Sequence, residues 1–151
     1  MHYLQDIFNN HIIIPALIGW AIAQVIKVPL EFIHTRRWNW SLLFRTGGMP
    51  SSHSALVAGV AHGTGLYAGF DSAIFAVAFT LAVVVIYDAT GIRRQAGKHA
   101  RMLNAIIEDM AAGHPLKEEQ LLELLGHTPL EALGGLLLGI ASAQLGWIIW
   151  R

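Results

Sequence analysis

Three short clusters in this chain combine glycine, serine, histidine, arginine and carboxylates in patterns suited to holding phosphate. The first is Gly47-Gly48-Met49-Pro50-Ser51-Ser52-His53-Ser54, where a polar loop runs into an apolar stretch. Gly48 lets the backbone come close to a ligand, Pro50 stiffens the approach, and the first amides of the following helix carry the positive end of its dipole. An anion fits there. For Ser51 and Ser52 taken alone, an ordinary N-cap is the better account. His53 tips the balance, because a histidine in the first turn of a membrane helix, beside glycines and opposite a basic loop, has little packing reason to be there.

The second cluster is Tyr87-Asp88-Ala89-Thr90-Gly91-Ile92-Arg93-Arg94. Ionisable groups at membrane depth are costly and usually pair or function. For Asp88, a salt bridge to Arg93 or Arg94 that staples the helix end stands level with a catalytic or metal-binding role. A planar guanidinium at a helix junction is the preferred partner of phosphate oxygens, which favours Arg93 and Arg94 as ligands over plain anchors. Lys98 follows within reach of the same group, whereas His99 reads as a polar-face residue. The third cluster is Gly126-His127-Thr128-Pro129-Leu130-Glu131. Thr128 and Glu131 have capping-box spacing and Pro129 sits at the first helical position, so helix initiation alone explains Glu131. It does not explain His127. A histidine four residues before a carboxylate can have one ring nitrogen oriented and the other left for attack or proton transfer.

The elements that must position these clusters are membrane helices. Of 151 residues, 54% are hydrophobic and 13% charged, against about 25% charged in a soluble domain. Such a surface needs lipid to cover it. The 10 basic and 10 acidic residues cancel, so no overall field points to nucleic acid. The absence of cysteine excludes disulfides and thiolate chemistry and leaves the compartment open.

Four stretches approach the roughly 20 apolar residues a bilayer core takes: Ile12 to Val28, Ser52 to Phe70, Ser72 to Thr90 and Pro129 to Trp150. No basic n-region or cleavage site precedes the first, so Ile12 to Ile26 reads as a retained span. Gly69, Phe70 and Asp71 make the second and third spans a tight hairpin. Ile92, Ala96, Leu103, Ile106, Ile107 and Met110 repeat at helical spacing, which predicts an amphipathic surface helix. Gly113 and Pro115 end it, and Lys117 to Leu125 reads as a shorter helix. The expected fold is therefore all-α: one integral membrane domain over residues 1–151, a bundle of about four transmembrane helices plus an amphipathic surface helix. Gly59 with Gly63, and Gly135 with Gly139, allow close helix approach, either within the bundle or in a homo-oligomer.

This topology gathers the three clusters at one boundary, on the side of Arg36, Arg37, Arg45, Arg93, Arg94, Lys98, Arg101 and Lys117. By the positive-inside rule that side is the cytoplasm. Lys27 reaches the same boundary, where interfacial snorkelling is an equal account of it.

GGMPSSHSA (Gly47 to Ala55), YDATGIRRQAGKHA (Tyr87 to Ala100) and LGHTPLEALGGLLLG (Leu125 to Gly139) resemble the divergent, acid phosphatase/vanadium-dependent haloperoxidase-related branch of the type-2 phosphatidic acid phosphatase superfamily. The likeness covers nearly the whole chain. It implies a histidine nucleophile working through a phosphohistidine, a carboxylate that orients it, a second histidine that protonates the leaving group, and lysine and arginines on the phosphoryl oxygens. Carried over, His127 is the nucleophile, Glu131 replaces the orienting aspartate, and His53, in a Pro-Ser-Ser-His where the family pattern has Pro-Ser-Gly-His, is the acid. Arg93 or Arg94 stands for the third-signature arginine. Lys27 begins a loose first signature, with Arg36 or Arg37 in place of its arginine, and Asp88 has no counterpart.

The leading expectation is a membrane-embedded phosphatase acting on a lipid phosphate or diphosphate. Its catalytic set is His53, His127, Glu131 and Asp88; its phosphate-binding set is Lys27, Gly48, Ser51, Ser52, Arg93, Arg94 and Lys98. A non-catalytic lipid-phosphate binder or transporter with the same cradle is the alternative, and a scaffold dimerising through glycine-lined helices a third. No cofactor is expected. A divalent metal at Asp88 stays open, although no histidine pair with ligand spacing accompanies it. The expected partner is a membrane lipid or lipid phosphate, not nucleic acid, and the expected location is a bacterial inner membrane.

Overall fold

A computed structural model describes residues 3–44, 47–111 and 127–151. In chain order the helices are α1 (Tyr3–Phe8), α2 (Ile13–Thr35), a single 3-10 turn (Trp40–Leu43), α3 (Ser52–Ala68), α4 (Ala73–Thr90), α5 (Ile92–Ala111) and α6 (Pro129–Trp150), with no strand among the described residues. Local chemistry sets the boundaries. The Asn10 side chain accepts hydrogen bonds from the Ile12 and Ile13 amides at 2.9 and 3.0 Å, covering orphan donors at the start of α2. Ser51 and Ser72 are the N-caps of α3 and α4, accepting from Ser54 N and Phe75 N. Thr128 and Glu131 form the capping box at the start of α6, with Pro129 inside the first turn.

Helices α2, α4 and α6 are long and apolar enough to cross a membrane. The remaining expected span is α3, whose 17 residues make it about 25 Å long. It is the inner helix. α2, α4 and α6 all pack on it, whereas α4 meets α6 only slightly. Its buried positions are small, among them Ser52, Ala55, Ala58, Gly59 and Gly63, while α4 buries only Ala82 and Ala89. Among the described residues the buried apolar core consists of alanines and one valine, and large side chains such as Val77, Leu81 and Leu137 point outward. Lipid tails are as apolar as leucine, so burying leucine gains little in a bilayer. Close backbone packing is what holds the bundle.

Two glycines define that approach. A Cβ on Gly135 of α6 would collide with the Ser51 carbonyl, and one on Gly139 with the Ala55 carbonyl. Across the other face of α3, a Cβ on Gly59 would lie 3.0 Å from Ala16 Cα of α2, and one on Gly63 3.1 Å from Ile12 Cγ2. Both glycine pairs are thus used inside one chain, where they join α3 to α6 and α2. A contact between copies would have to use other faces.

One boundary differs from the one the sequence suggests. α2 does not stop at Val28; it continues through Pro29 to Thr35 and closes at Arg36, whose φ of 58° is left-handed and whose amide bonds Phe32 O at 2.8 Å. Proline within a membrane helix is tolerated because neighbouring groups re-satisfy the freed carbonyl. The extra two turns carry Glu31 and His34. α5 matches the expected surface helix and leaves Met102, Leu103, Ile106 and Met110 exposed along one stripe, as an interfacial helix requires. The shorter helix expected at Lys117 to Leu125 lies outside the described residues.

The α3–α6 contact gives a test with an internal control. Gly139→Val should lower the thermal stability of the purified protein by about 1–3 kcal/mol, the range for overpacking. Gly134→Ala should be neutral, because its new Cβ would meet Met49 and Pro50 at ordinary contact distance, 3.5 Å. Equal melting of the two variants in detergent would contradict the packing account.

Candidate functional site

Three hydrogen bonds draw α2, α3, α4 and α6 together at one end. Ser51 N donates to Glu131 O at 2.8 Å, joining the start of α3 to the first turn of α6. His127 N donates to Ala89 O at 3.0 Å, fastening the residue before α6 to the last turn of α4. Lys27 Nζ reaches Ser52 Oγ at 3.4 Å, joining α2 to α3. The three clusters therefore share one small volume.

His127 is only 4% exposed. Its Nδ1 lies 3.0 Å from Glu131 Oε2, which also accepts from the Thr128 amide at 3.2 Å. The Glu131 amide in turn donates to Thr128 Oγ1. One carboxylate therefore caps α6 and orients the imidazole. The two accounts of Glu131 suggested by sequence are compatible, because the helix cap holds the carboxylate where the histidine needs it. With Nδ1 engaged, Nε2 is the ring nitrogen available for chemistry. The His53 ring, half-buried in the first turn of α3, has its centroid 6.5 Å from that of His127 at 53°.

The serines divide their work. Ser51 is fully buried, with its amide bonded to Glu131 and its Oγ accepting from Ser54 N and Ser54 Oγ. It is an N-cap and a brace, as the simpler account of it holds. Ser52, 2% exposed, faces Lys27. Gly48 has φ 78°, a region that favours glycine, and a Cβ added there would lie 3.8 Å from the Lys27 stem, an ordinary contact.

Lys27 is not snorkelling. It is 2% exposed, and its ammonium donates to Gln24 Oε1 at 2.8 Å as well as to Ser52. Gln24 Nε2 donates to the Leu42 and Leu43 carbonyls of the 3-10 turn at 3.2 and 2.8 Å. That bridge ties the polar loop to the lysine. Gln24 stands out in sequence only as a polar residue inside an apolar run, three positions before Lys27. Its acceptors, two backbone carbonyls, leave no mark in side-chain identities.

A cleft of about 320 Å³ opens beside this group, lined by Lys27, Gly48, Glu131, Glu31 and His34 among others. The last two come from the extra turns of α2, which the sequence reading left out. Asp88 is half-buried next to Ala89 and already interacts with other groups. Among the described residues, no three His, Asp or Glu side chains converge as a metal site would require. Arg93 and Arg94 fall in the first turn of α5 and Lys98 in its second; their side chains lie outside the described residues. Cations in a first turn oppose the helix dipole, and no acidic residue accompanies the two arginines there.

These helix ends bring a carboxylate-oriented histidine near a second histidine and a buried lysine. Residues 8–142 match the model of the Divergent PAP2 family. The chain belongs to that family. It is 42% identical over 147 residues to the uncharacterized membrane protein YuiD of Bacillus subtilis (strain 168), covering 90% of this chain and 93% of that protein. No solved structure matches it. The chain is a membrane protein of the PAP2 type.

Lys27 ties stability to ligand binding. Removing one partner of a buried polar group strands the others, here Gln24 Oε1 and Ser52 Oγ beside the Glu131 carboxylate. Lys27→Met should therefore melt below the wild type and bind inorganic phosphate more weakly. Thermal unfolding and phosphate titration of the same preparation check both halves.

Proposed function

We propose that this protein is a membrane-embedded phosphatase that hydrolyses a lipid phosphate or diphosphate through His127. The observation that carries the reading is the 3.0 Å contact between His127 Nδ1 and Glu131 Oε2, which leaves Nε2 as the nucleophilic nitrogen beside a second histidine. In the first step Nε2 attacks phosphorus in line, the bond from phosphorus to the lipid oxygen breaks, and His53 donates the proton that the leaving oxygen needs. Glu131 stabilises the positive charge that grows on the His127 ring. In the second step water attacks the phosphohistidine, His53 takes its proton, and inorganic phosphate leaves with His127 restored.

The charges for this exist near the site. Lys27 supplies a fixed ammonium next to Ser52, and Arg93 and Arg94 open the adjoining helix; together they would offset the charge on the equatorial oxygens. Asp88 lies one residue from the carbonyl that fastens His127, which favours an auxiliary role in holding that junction over direct contact with phosphorus. The basic residues concentrate at this end of the bundle, so the site faces the cytoplasm under the positive-inside rule, with a bacterial inner membrane as its setting. A lipid-phosphate binder or transporter with the same cradle would show saturable binding and no turnover.

His127→Ala should abolish release of inorganic phosphate from lipid phosphates. Glu131→Gln should slow it by about two to four orders of magnitude, since an amide can no longer hold the charged ring. His53→Ala should be crippled toward alkyl phosphates but largely recover on p-nitrophenyl phosphate, whose leaving group needs no proton. Undiminished turnover in purified His127→Ala would refute the nucleophile, and phosphate binding with no turnover by the wild type would favour the binder.

A further inference from the structure

Below the paired histidines lies a second, separate cavity of about 210 Å³ between α3, α4 and α6. Its upper lining, Ala58, Ile86 and Leu136, comes from the same three helices that carry His53, Ala89 and Glu131, one or two turns nearer the site. Its far end is closed by an aromatic group in which Phe70 and Phe75 meet edge to face at 5.1 Å and Phe79 lies 5.8 Å from Phe75. From residue 75 to residue 86 along α4 the slot is roughly 16 Å long. Spread over that length, its volume takes one hydrocarbon chain and not two side by side. α4 hardly touches α6, so the open side of the slot lies between these helices, toward lipid.

His62 is the one polar side chain in the lining. Its Nε2 pairs with Gln144 Oε1 of α6 at 3.0 Å, and its ring lies 5.9 Å from that of Phe70. Ten residues beyond Ser52, it stands about 15 Å deeper in the bundle. A polar pair at that depth is costly to separate from its partner, so it holds α3 and α6 at a fixed spacing beside the slot and makes the far end a stop.

The geometry points to this slot as the binding site for a single aliphatic chain of a lipid phosphate, with Phe70, Phe75 and the His62–Gln144 pair limiting chain length. The assignment extends the phosphatase reading by placing the apolar part of the substrate, and it rests on that reading only for the headgroup. Proximity decides the occupant, because an apolar slot whose upper lining lies one or two turns from the paired histidines suits a molecule with a phosphate at one end and hydrocarbon at the other.

The test measures binding of dodecyl phosphate and of inorganic phosphate to the full chain in phosphatidylcholine nanodiscs. Ala82→Phe, filling the slot wall, should weaken dodecyl phosphate severalfold, because the chain loses its packing contacts there, and leave inorganic phosphate unchanged. Phe75→Ala, opening the far end of the slot, should shift preference from dodecyl to hexadecyl phosphate, a gain that misfolding cannot produce. Wild-type affinity of Ala82→Phe for dodecyl phosphate, or an unaltered chain preference in Phe75→Ala, would overturn the slot. If inorganic phosphate fails to bind the wild type while dodecyl phosphate binds and still responds to Ala82→Phe, the phosphate site falls and the slot stands.

Discussion

Gly135 and Gly139 let α6 lie directly on the backbone of α3, and the candidate site exists only because that approach is possible. Side chains at these positions would meet the Ser51 and Ala55 carbonyls, and any increase in spacing would break the 2.8 Å bond from Ser51 N to Glu131 O. That bond fixes the first turn of α3 against the first turn of α6. Since His53 lies two residues after Ser51, and His127 is oriented by Glu131, the distance between the two histidines follows from the glycine contact. In a bilayer there is little hydrophobic gain from bringing helices together, so a dense backbone contact is also what stability demands. Packing and chemistry make the same demand of α6.

The polar groups of the site are held by structure before any ligand arrives. Glu131 serves the cap of α6 and the His127 ring with one oxygen. Lys27 is held between Gln24 and Ser52, and Gln24 is itself anchored on the 3-10 turn. Groups fixed in this way need little reorganisation when charge develops beside them, which is the usual source of electrostatic catalysis.

Much of this could be read from residue types because caps and glycines carry local geometry. Ser72, Thr128 and Pro129 mark where α4 and α6 begin, and the helices start there. The histidine and carboxylate at His127 and Glu131 are four residues apart, so a single helical turn brings them together. What escaped was long-range or carried by backbone. Gln24 binds carbonyls 18 and 19 residues away, and His62 meets Gln144 across 82 residues; no local pattern encodes either. The end of α2 was hidden for another reason, since Pro29 signals a break that a membrane helix does not have to obey. The glycine pairs announced close approach but not whether the neighbour belonged to the same chain.

The two cavities have α6 in common but no lining residue. The upper cleft is charged, with Lys27, Glu31 and Glu131 in its walls, and it opens beside the polar loop. The lower slot is apolar, and it opens where α4 leaves α6. In the proposed reading the phosphate of an amphiphile lies by the paired histidines and its chain in the slot. α4 is then loosely packed for a reason: with only Ala82 and Ala89 buried, it can stand away from α6 at the slot and still fasten His127 through Ala89 at the site.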